Sequence, residues 1–248
     1  MPSVVITGGS RGIGADIARL FDSAGWSVVV GARSRPSSAY VNAASVLFFP
    51  MDVTRKEDHE RICDFAIERA GRLDCYINCA GRSEWKSLEV IDETFLEDML
   101  DVNLKGVLWG CRAAAERLQS DSSIINISSL AGKRGSANNA AYCMAKFGVN
   151  GLTQSLAKEL GPKGIRVNAV CPVYVKTPGV ISALERPEAP PGGEAVEDYF
   201  EKFTQANTAL QRLPTGSEVA SACLFLASEA ASAITGQCIN VDCGVLPQ

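Results

Sequence analysis

The fold is decided by an apolar run and the glycine-rich turn after it: Ser3-Val4-Val5-Ile6 leads into Thr7-Gly8-Gly9-Ser10-Arg11-Gly12-Ile13-Gly14. The apolar run is typical of a β-strand. Beyond the turn, apolar residues from Ile13 to Phe21 recur with the period of a helix. Glycines between a strand and a helix let backbone N–H groups approach a pyrophosphate closely, and the helix N-terminus adds partial positive charge. The stretch therefore predicts a strand–turn–helix unit that binds phosphate groups.

Strand and helix patterns alternate along the rest of the chain. Further β-rich runs lie at 27–30, 45–49, 73–78, 123–127, 165–170 and 237–241. Helical periodicity predicts helices over 55–70, 92–118, 139–160 and 218–227, and Thr54 with Glu57 has capping-box spacing at the start of the first. We therefore expect an α/β protein with a Rossmann-type, doubly wound, seven-stranded parallel sheet that has helices on both faces. All of residues 1–248 are expected to form one domain.

The composition is that of an ordinary globular protein. Its 248 residues are 46% hydrophobic and 21% charged, with 24 Lys+Arg against 28 Asp+Glu. No basic run exceeds a pair, which disfavours a nucleic-acid partner, and no apolar run reaches the roughly 18 residues of a membrane span. The N-terminus lacks the basic region of a signal peptide. Nine cysteines without a CxxC pair indicate reduced thiols rather than disulfides or a zinc site. We expect a cytoplasmic protein without a metal site.

Further motifs follow the glycine turn in a set order. The turn itself has the spacing TGxxxGxG rather than GxGxxG. The other motifs are Asn78-Cys79-Ala80-Gly81, Val102-Asn103-Leu104-Lys105-Gly106, Ser129 after a predicted strand, Tyr142-Cys143-Met144-Ala145-Lys146, Asn168-Ala169-Val170-Cys171-Pro172 and Ile234-Thr235-Gly236-Gln237. Together they cover nearly the whole chain and resemble the short-chain dehydrogenase/reductase family, in particular its single-domain 3-oxoacyl-acyl-carrier-protein reductases.

The resemblance implies hydride transfer between a nicotinamide and a ketone or secondary alcohol, with Tyr142 as the acid/base. An unperturbed phenol has a pKa of ~10. Lys146 lies one helical turn later and would lower that pKa, and by resemblance it also holds the nicotinamide ribose. Ser129 would hydrogen-bond the substrate carbonyl, and its spacing to Tyr142 favours it over Ser128. In the family, the residue at the position of Asn103 interrupts its helix and holds a water of the proton relay.

Strand two ends in a sequence that bears on the choice of nicotinamide. Ala32 stands where an acid would favour NAD, and Arg33 follows it. Arg11 can face the same 2′-phosphate, and two guanidiniums form a strong phosphate clamp; the alternative is two solvated surface arginines. We expect NADP(H), with NAD(H) less favoured. The resemblance assigns the cofactor to these residues as well: Gly8, Ser10, Gly12, Ile13, Gly14, Ser34, Asp52, Val53, Asn78, Ala80, Gly81, Pro172, Val175 and Thr177, besides Tyr142 and Lys146.

Residues 176–216 interrupt the pattern with proline and glycine just after the sixth strand. Ligands bind at this edge of open α/β sheets, so the segment is a candidate substrate lid; the alternative is a loose surface loop. The segment contains three aromatic residues that either line an apolar pocket or belong to the core: Tyr199, Phe200 and Phe203. Three basic residues follow motifs of the expected active site: Arg82, Lys133 and Arg134. They either bind an anionic substrate or acyl carrier or are solvated surface charges.

Several alternatives stay open at this level. The small-molecule substrate is a 3-oxoacyl thioester or a polyol, sugar or secondary-metabolite ketone. A non-catalytic NADP(H) sensor or scaffold is the other class of function, and a dehydratase or epimerase is disfavoured because the short chain offers no separate substrate domain. His59, the single histidine, is predicted on an exposed helix with no catalytic role. Val173 and Cys243 replace glycines usual in the family, and family members commonly form homotetramers or homodimers.

Overall fold

Seven parallel strands form one sheet in the computed structural model, which describes residues 1–36 and 45–247. The strands are β1 Ser3–Thr7, β2 Ser27–Ala32, β3 Val46–Pro50, β4 Cys75–Asn78, β5 Ser123–Ile127, β6 Arg166–Pro172 and β7 Cys238–Val241. Their order in the sheet is β3-β2-β1-β4-β5-β6-β7, and every neighbouring pair is parallel. The predicted doubly wound, seven-stranded sheet is confirmed. The chain reverses its winding direction at β1 and β4, so the ligand crevice of such a sheet lies at their carboxyl ends.

Helices cover both faces of this sheet. They are α1 Gly12–Ser23, α2 Lys56–Ala70, α3 Glu93–Leu100, α4 Gly106–Ala115, α5 Ala140–Leu160, α6 Pro178–Leu184, α7 Val196–Asn207 and α8 Gly216–Ala227. Strand β1 shows how the sequence divides the core, because its side chains alternate between the faces. Val4 and Ile6 pack in the cluster with α1 and α8, whereas Val5 packs in the cluster with α2, α4 and α5. All three are fully buried, as expected for a strand covered on both sides.

The start of α2 differs from the sequence prediction. Its N-cap is Arg55, which makes no side-chain cap, so the capping box predicted from Thr54 and Glu57 is wrong. Thr54 instead donates its backbone N–H and hydroxyl to Asp52 Oδ1, at 3.0 and 2.9 Å. The hydroxyl is thereby used in the loop rather than at the helix end. A capping box does form at α8, between Thr215 and Glu218.

The long helix predicted over 92–118 is interrupted. It consists of α3, a π-helical turn at Asp101–Lys105, and α4. Asn103 lies at the middle of the π turn and is fully buried. Such turns insert an extra residue into a helix and often mark functional sites, which agrees with the interruption that the family resemblance implies at this position.

The segment 176–216 carries two helices, α6 and α7, rather than an unstructured loop. Phe200 is buried in a small core with Trp85 and Leu184, so this aromatic residue has a packing role. An ion pair connects the segment to the body: Arg186 pairs with Glu84, which also pairs with Arg82. The segment is therefore a packed element at the carboxyl edge of the sheet.

Candidate active site

The glycine turn after β1 is shaped by two close approaches. Gly8 has a φ of +71°, and a Cβ there would lie 2.6 Å from Ala80 Cα. A Cβ on Gly14 would lie 2.4 Å from the carbonyl oxygen of Gly8. Both contacts are too short for any side chain, so the sequence must place glycine at these positions for the turn to pack against the start of α1. The turn leaves the N-terminus of α1 facing the crevice, where a phosphate is favoured.

Thr7 joins this turn to the loop that follows β4. Its hydroxyl is fully buried and accepts hydrogen bonds from the backbone N–H groups of Cys79 (3.1 Å) and Ala80 (3.2 Å). On the opposite side, Thr177 lies against Gly12, because a Cβ on Gly12 would meet Thr177 Cγ2 at 3.3 Å. Three segments predicted to contact the cofactor thus converge on one crevice. Thr7 belongs to the TGxxxGxG motif, but sequence reasoning did not assign it this joining role.

Arg11, Arg33 and Ser34 lie exposed at the carboxyl ends of β1 and β2. Within the described residues, neither arginine makes an ion pair or a hydrogen bond through its side chain. Several other exposed arginines among the described residues do form ion pairs, as Arg72 does with Asp74 and Arg212 with Glu218. The two guanidiniums are therefore free to bind a phosphate with both of their N–H edges.

Asp52 and Val53 form the loop after β3. The polar groups of this loop are largely used: the backbone N–H of Asp52 donates to Asp58 Oδ2 at 2.8 Å, and its Oδ1 accepts from Thr54. The carbonyl oxygen of Val53 accepts from His59 Nε2 at 2.9 Å. Two groups, the Val53 N–H and Asp52 Oδ2, have no partner within the described residues. One donor beside one acceptor matches the edge of an adenine, which offers N1 as acceptor and the 6-amino group as donor.

His59 is wholly buried, so its prediction as an exposed residue is wrong. Its Nδ1 lies 2.8 Å from the hydroxyl of Tyr76, a fully buried residue of β4. Charged neighbours in the sequence suggested a solvated face, whereas the partner that draws the ring inward is distant in sequence. Burial lowers the pKa of His59, against the opposing effect of its hydrogen bond to Val53. The neutral ring is far better suited to this interior than a cation would be.

Ser129 and Ser128 follow β5 and have different surroundings. Ser128 is buried, and its hydroxyl donates to the carbonyl oxygen of Lys146 at 3.3 Å. Ser129 is partly exposed, accepts from the N–H of Ala131 at 3.1 Å, and lies close enough to Tyr142 to lower the pKa of its phenol. The structure therefore brings Ser129, rather than Ser128, together with the tyrosine.

Tyr142 and Lys146 lie one turn apart on α5, with Lys146 Nζ 5.6 Å from the centroid of the tyrosine ring. Burial raises the pKa of Tyr142 to about 12, and the nearby Ser129 hydroxyl opposes this rise. This direction is opposite to the expected lowering by Lys146, whose ammonium donates to the carbonyl oxygen of Ile127 at 2.9 Å. Burial also lowers the pKa of Lys146 to about 8. The lysine is only 3% exposed, so its charge is held in the interior at a cost.

Asn103 uses both ends of its amide on the loop after β4. Its Oδ1 accepts from the N–H of Arg82 at 3.1 Å, and its Nδ2 donates to the carbonyl oxygens of Arg82 (2.9 Å) and Met99 (3.0 Å). A Cβ on Gly81 would lie 3.2 Å from Asn103 Oδ1 and 3.9 Å from Lys146 Nζ. Asn103 therefore stands beside the lysine and fixes the course of the Gly81–Arg82 backbone.

Asn78 is placed differently from the other predicted cofactor residues. Its side chain is buried and donates to Asn126 Oδ1 at 2.9 Å, and Asn126 donates in turn to the hydroxyl of Thr153 at 3.0 Å. This network joins β4 and β5 to α5 and uses the amide nitrogen of Asn78. Pro172 ends β6 at the same edge of the sheet, and Val175 is buried just beyond it.

Aromatic rings cluster between the end of β6 and the segment predicted as a lid. Tyr174 follows β6 and contacts the rings of Tyr199, Phe200 and Phe203 at centroid distances of 5.0–6.0 Å. A cavity of about 430 Å³ lies next to this group, between Val175 and Phe200 on one side and residues 212–216 on the other. Of the three basic residues, Arg82 is paired with Glu84, Lys133 Nζ donates to the carbonyl oxygen of Cys238 at 2.6 Å, and Arg134 is exposed.

The remaining expectations concern cysteines, metals and membranes. All nine cysteines are free thiols. The described residues hold no cluster of three or more His, Cys, Asp or Glu side chains suited to a metal ion. None of the helices in residues 1–36 and 45–247 combines the length and apolar character needed to cross a membrane.

Comparison with known proteins decides the family. The profile of a family described as Enoyl-(Acyl carrier protein) reductase matches residues 8–246. The chain belongs to the short-chain dehydrogenase/reductase family. It is 32% identical over 253 residues to the L-2,3-butanediol dehydrogenase of Corynebacterium glutamicum, covering 98% of this chain and 97% of the other. It is also 32% identical over 255 residues to a 3-oxoacyl-acyl-carrier-protein reductase of Thermotoga maritima, covering 98% and 96%.

A solved structure gives the same result for this short-chain dehydrogenase/reductase. The crystal structure of an actinorhodin polyketide ketoreductase variant with NADPH superposes with a TM-score of 0.87 at 30% identity, covering 98% of this chain and 97% of that one. The chain is therefore an oxidoreductase of this family, whose members bind a nicotinamide cofactor.

Proposed function

We propose that the protein is an NADP(H)-dependent ketoreductase that interconverts a ketone and a secondary alcohol. The observation that carries the proposal is the grouping of Ser129, Tyr142 and Lys146 at the carboxyl end of β5, beside a glycine turn shaped for a pyrophosphate. A pure binding module needs no buried lysine next to a tyrosine and a serine. This favours catalysis over the alternative of a non-catalytic NADP(H) sensor or scaffold.

The residues of the chain have distinct parts in this reaction. The bound nicotinamide supplies or accepts the hydride. Ser129 donates a hydrogen bond to the carbonyl oxygen, where negative charge develops. Tyr142 gives its phenolic proton to that oxygen in the direction of reduction and takes it back in oxidation. A phenol with a pKa of about 12 is fully protonated at neutral pH, which suits proton donation to an alkoxide.

Lys146 and Asn103 support the proton transfer. Lys146 Nζ lies 5.6 Å from the centroid of the tyrosine ring, and its ammonium would stabilise the phenolate that remains after transfer. With a pKa of about 8 it is still charged at neutral pH. Asn103 holds the backbone of Arg82 and, as in the family, would hold a water through which the proton is replaced.

The choice of NADP(H) rests on two free cations. Arg11 and Arg33 follow the carboxyl ends of β1 and β2, the two strands that would flank the adenosine of the cofactor. The last residue of β2 is Ala32, where an acidic residue would favour NAD(H). A 2′-phosphate would compensate both guanidinium charges. The actinorhodin ketoreductase structure supports this choice, because it contains NADPH and matches the fold over 98% of this chain. The site residues predicted for the cofactor remain part of this proposal.

Two substrate classes are favoured by different relatives. The similarity to a 3-oxoacyl-acyl-carrier-protein reductase supports a 3-oxoacyl thioester. The similarity to a butanediol dehydrogenase supports a small polyol or hydroxyketone. In this structure the aromatic group around Tyr174 offers an apolar wall, and the positive charge of exposed Arg134 lowers the pKa of both Tyr174 and Tyr199 against the larger effect of burial. This pairing suits an apolar body with an anionic or strongly polar end.

A panel assay tests the proposal. NADPH oxidation is measured with 3-oxoacyl thioesters, small diketones, hydroxyketones, sugars and an enoyl thioester, and compared with NADH. Turnover of at least one ketone with higher kcat/KM for NADPH is expected. If the protein binds NADPH and reduces no ketone, the sensor alternative is favoured.

The proposal also includes the assembly and the setting of the protein. We propose one domain in a cytoplasmic homotetramer or homodimer that pairs α4 and α5 with the same helices of a second copy. Leu108, Met144 and Phe147 are large exposed apolar side chains on these two helices. Light scattering should give a dimer or tetramer mass, and Phe147→Glu should lower it; a monomer mass for the wild type would contradict the assembly.

A further inference from the structure

Two consecutive residues of α2 hydrogen-bond the backbone of the loop that contains Asp52 and Val53. Asp58 Oδ2 accepts from the N–H of Asp52 at 2.8 Å. His59 Nε2 lies 2.9 Å from the carbonyl oxygen of Val53. Asp58 is 4% exposed and His59 is fully buried, so neither contact is shared with bulk solvent. The two residues fix both ends of the dipeptide whose outward groups match an adenine edge.

The hydrogen-bond roles of His59 follow from its partners. A carbonyl oxygen can only accept, so Nε2 carries the hydrogen and donates to Val53. The neutral ring then has Nδ1 as an acceptor, and the hydroxyl of Tyr76 at 2.8 Å donates to it. Tyr76 belongs to β4 and is fully buried. A continuous chain of hydrogen bonds therefore runs from a central strand, through the imidazole, to the Val53 peptide group.

This chain controls the direction of the groups that are left free. The Val53 N–H and Asp52 Oδ2 have no partner within the described residues. The Thr54 N–H, which shares a peptide group with the Val53 carbonyl, donates to Asp52 Oδ1 and so orients the carboxylate that carries Oδ2. The Val53 N–H belongs to the adjoining Asp52–Val53 peptide group. A Cβ on Gly106 would lie 2.9 Å from the Val53 carbonyl oxygen, so α4 already limits the space around it. Loss of the imidazole donor would leave this oxygen without its partner and free the peptide to rotate away from α2.

We infer that His59 is a positioning residue for the cofactor, which sets the adenine-binding edge of Asp52 and Val53 through its bond to the Val53 carbonyl. The inference rests on the proposed binding of a nicotinamide dinucleotide. It predicts that His59 affects the affinity for the adenosine half of the cofactor and leaves the turnover at saturating cofactor unchanged, because the ring does not touch Ser129, Tyr142 or Lys146.

Three variants of His59 separate positioning from general stability. In His59→Gln, the amide nitrogen can reach the position of Nε2 and still donate to Val53. In His59→Asn, the shorter side chain places its amide near Nδ1 and loses the bond to Val53. His59→Leu fills much of the space and makes neither bond. Thermal unfolding of all three reports the structural part of the change.

The probe is 2′,5′-ADP, the adenosine half of NADP(H) without nicotinamide, titrated by calorimetry. His59→Gln should bind it within about 3-fold of the wild type, and His59→Asn and His59→Leu about 10-fold more weakly. Reduced nicotinamide mononucleotide lacks the adenosine, so its KM and kcat with any ketone that is reduced should be the same in all four proteins.

Several results would overturn the inference. One is wild-type affinity for 2′,5′-ADP in His59→Asn and His59→Leu. Another is an equal loss in all three variants that follows their melting temperatures, which would make the role merely structural. If the wild type binds 5′-ADP but not 2′,5′-ADP, only the choice of NADP(H) fails, and the series is measured with 5′-ADP. If it binds neither, the inference fails together with the proposed cofactor site. If no ketone is turned over, the proposed catalysis fails, and the binding series alone still decides the role of His59.

Discussion

Lys146 is expected to lower the stability of the folded protein for the sake of the active site. Its pKa falls from the usual 10.5 to about 8 because the ammonium is buried. One pKa unit corresponds to about 1.4 kcal/mol, so the fall represents roughly 3 kcal/mol of unfavourable burial at neutral pH. Lys146→Met keeps a long unbranched side chain and removes the charge. It also removes the donor to the Ile127 carbonyl, which costs about 1–2 kcal/mol.

The variant should therefore be about 1 kcal/mol more stable than the wild type at pH 7. The difference in stability between the variant and the wild type depends on pH. Below the folded pKa of about 8, lysine is charged in both states and the full penalty is present. As the pH rises from 8 to 10.5, the folded lysine loses its proton before the unfolded one, and the wild type gains stability. Near pH 10 the variant should have lost its advantage, and the missing hydrogen bond should make it the less stable protein.

Urea unfolding at a series of pH values from 7 to 10 measures this difference. Lys158→Met is the matched control, because Lys158 lies exposed on the same helix. Its effect on the free energy of unfolding should stay within about 0.5 kcal/mol at every pH. A Lys146→Met protein that is less stable at pH 7, or whose difference from the wild type does not change with pH, would refute the reasoning.

Three other substitutions test separate parts of the structure. Tyr142→Phe should lower kcat about 10²–10⁴-fold in ketone reduction while calorimetry shows unchanged NADPH binding, since only the proton donor is lost; retained turnover would remove Tyr142 from the mechanism. Arg33→Asp should lower kcat/KM for NADPH about 10–100-fold and raise that for NADH, because one charge-assisted contact is replaced by repulsion; an unchanged ratio of the two cofactors would show that Arg33 does not face the 2′-phosphate. Cys243 has a φ of 55°, a left-handed conformation that asparagine adopts more readily. Cys243→Asn should therefore raise the free energy of unfolding by up to about 1 kcal/mol in urea titrations, and a loss of stability would show that packing of the thiol matters more than backbone strain.

The sequence predicts much of the fold because the local signals agree with one another. The apolar run Val4–Val5–Ile6 predicts a strand that is buried on both faces, and these side chains do pack on alternate faces of the sheet. Gly8 and Gly14 lie at positions where no Cβ would fit. The usual family glycine at position 243 is explained in the same way, since Cys243 adopts a left-handed backbone. Nothing in the structure explains the valine at position 173.

The predictions that fail depend on distant partners. His59 reads as solvated from its charged neighbours, but its direction is set by Tyr76 on a strand and by the Val53 carbonyl. Thr54 has the spacing of a helix cap, yet its hydroxyl bonds Asp52. Local periodicity also carries no sign of the π turn at Asp101–Lys105, because one extra residue per turn does not disturb an apolar pattern enough to be seen.

The direct test of the central claim is the transfer of deuterium to a ketone of the panel from NADPH that carries deuterium at both C4 positions of the nicotinamide. Mass spectrometry of the product alcohol should show one deuterium on the carbinol carbon with the wild type, formed about 10²–10⁴-fold more slowly with Tyr142→Phe. A wild-type protein that binds labelled NADPH and transfers no deuterium to any ketone would contradict the account.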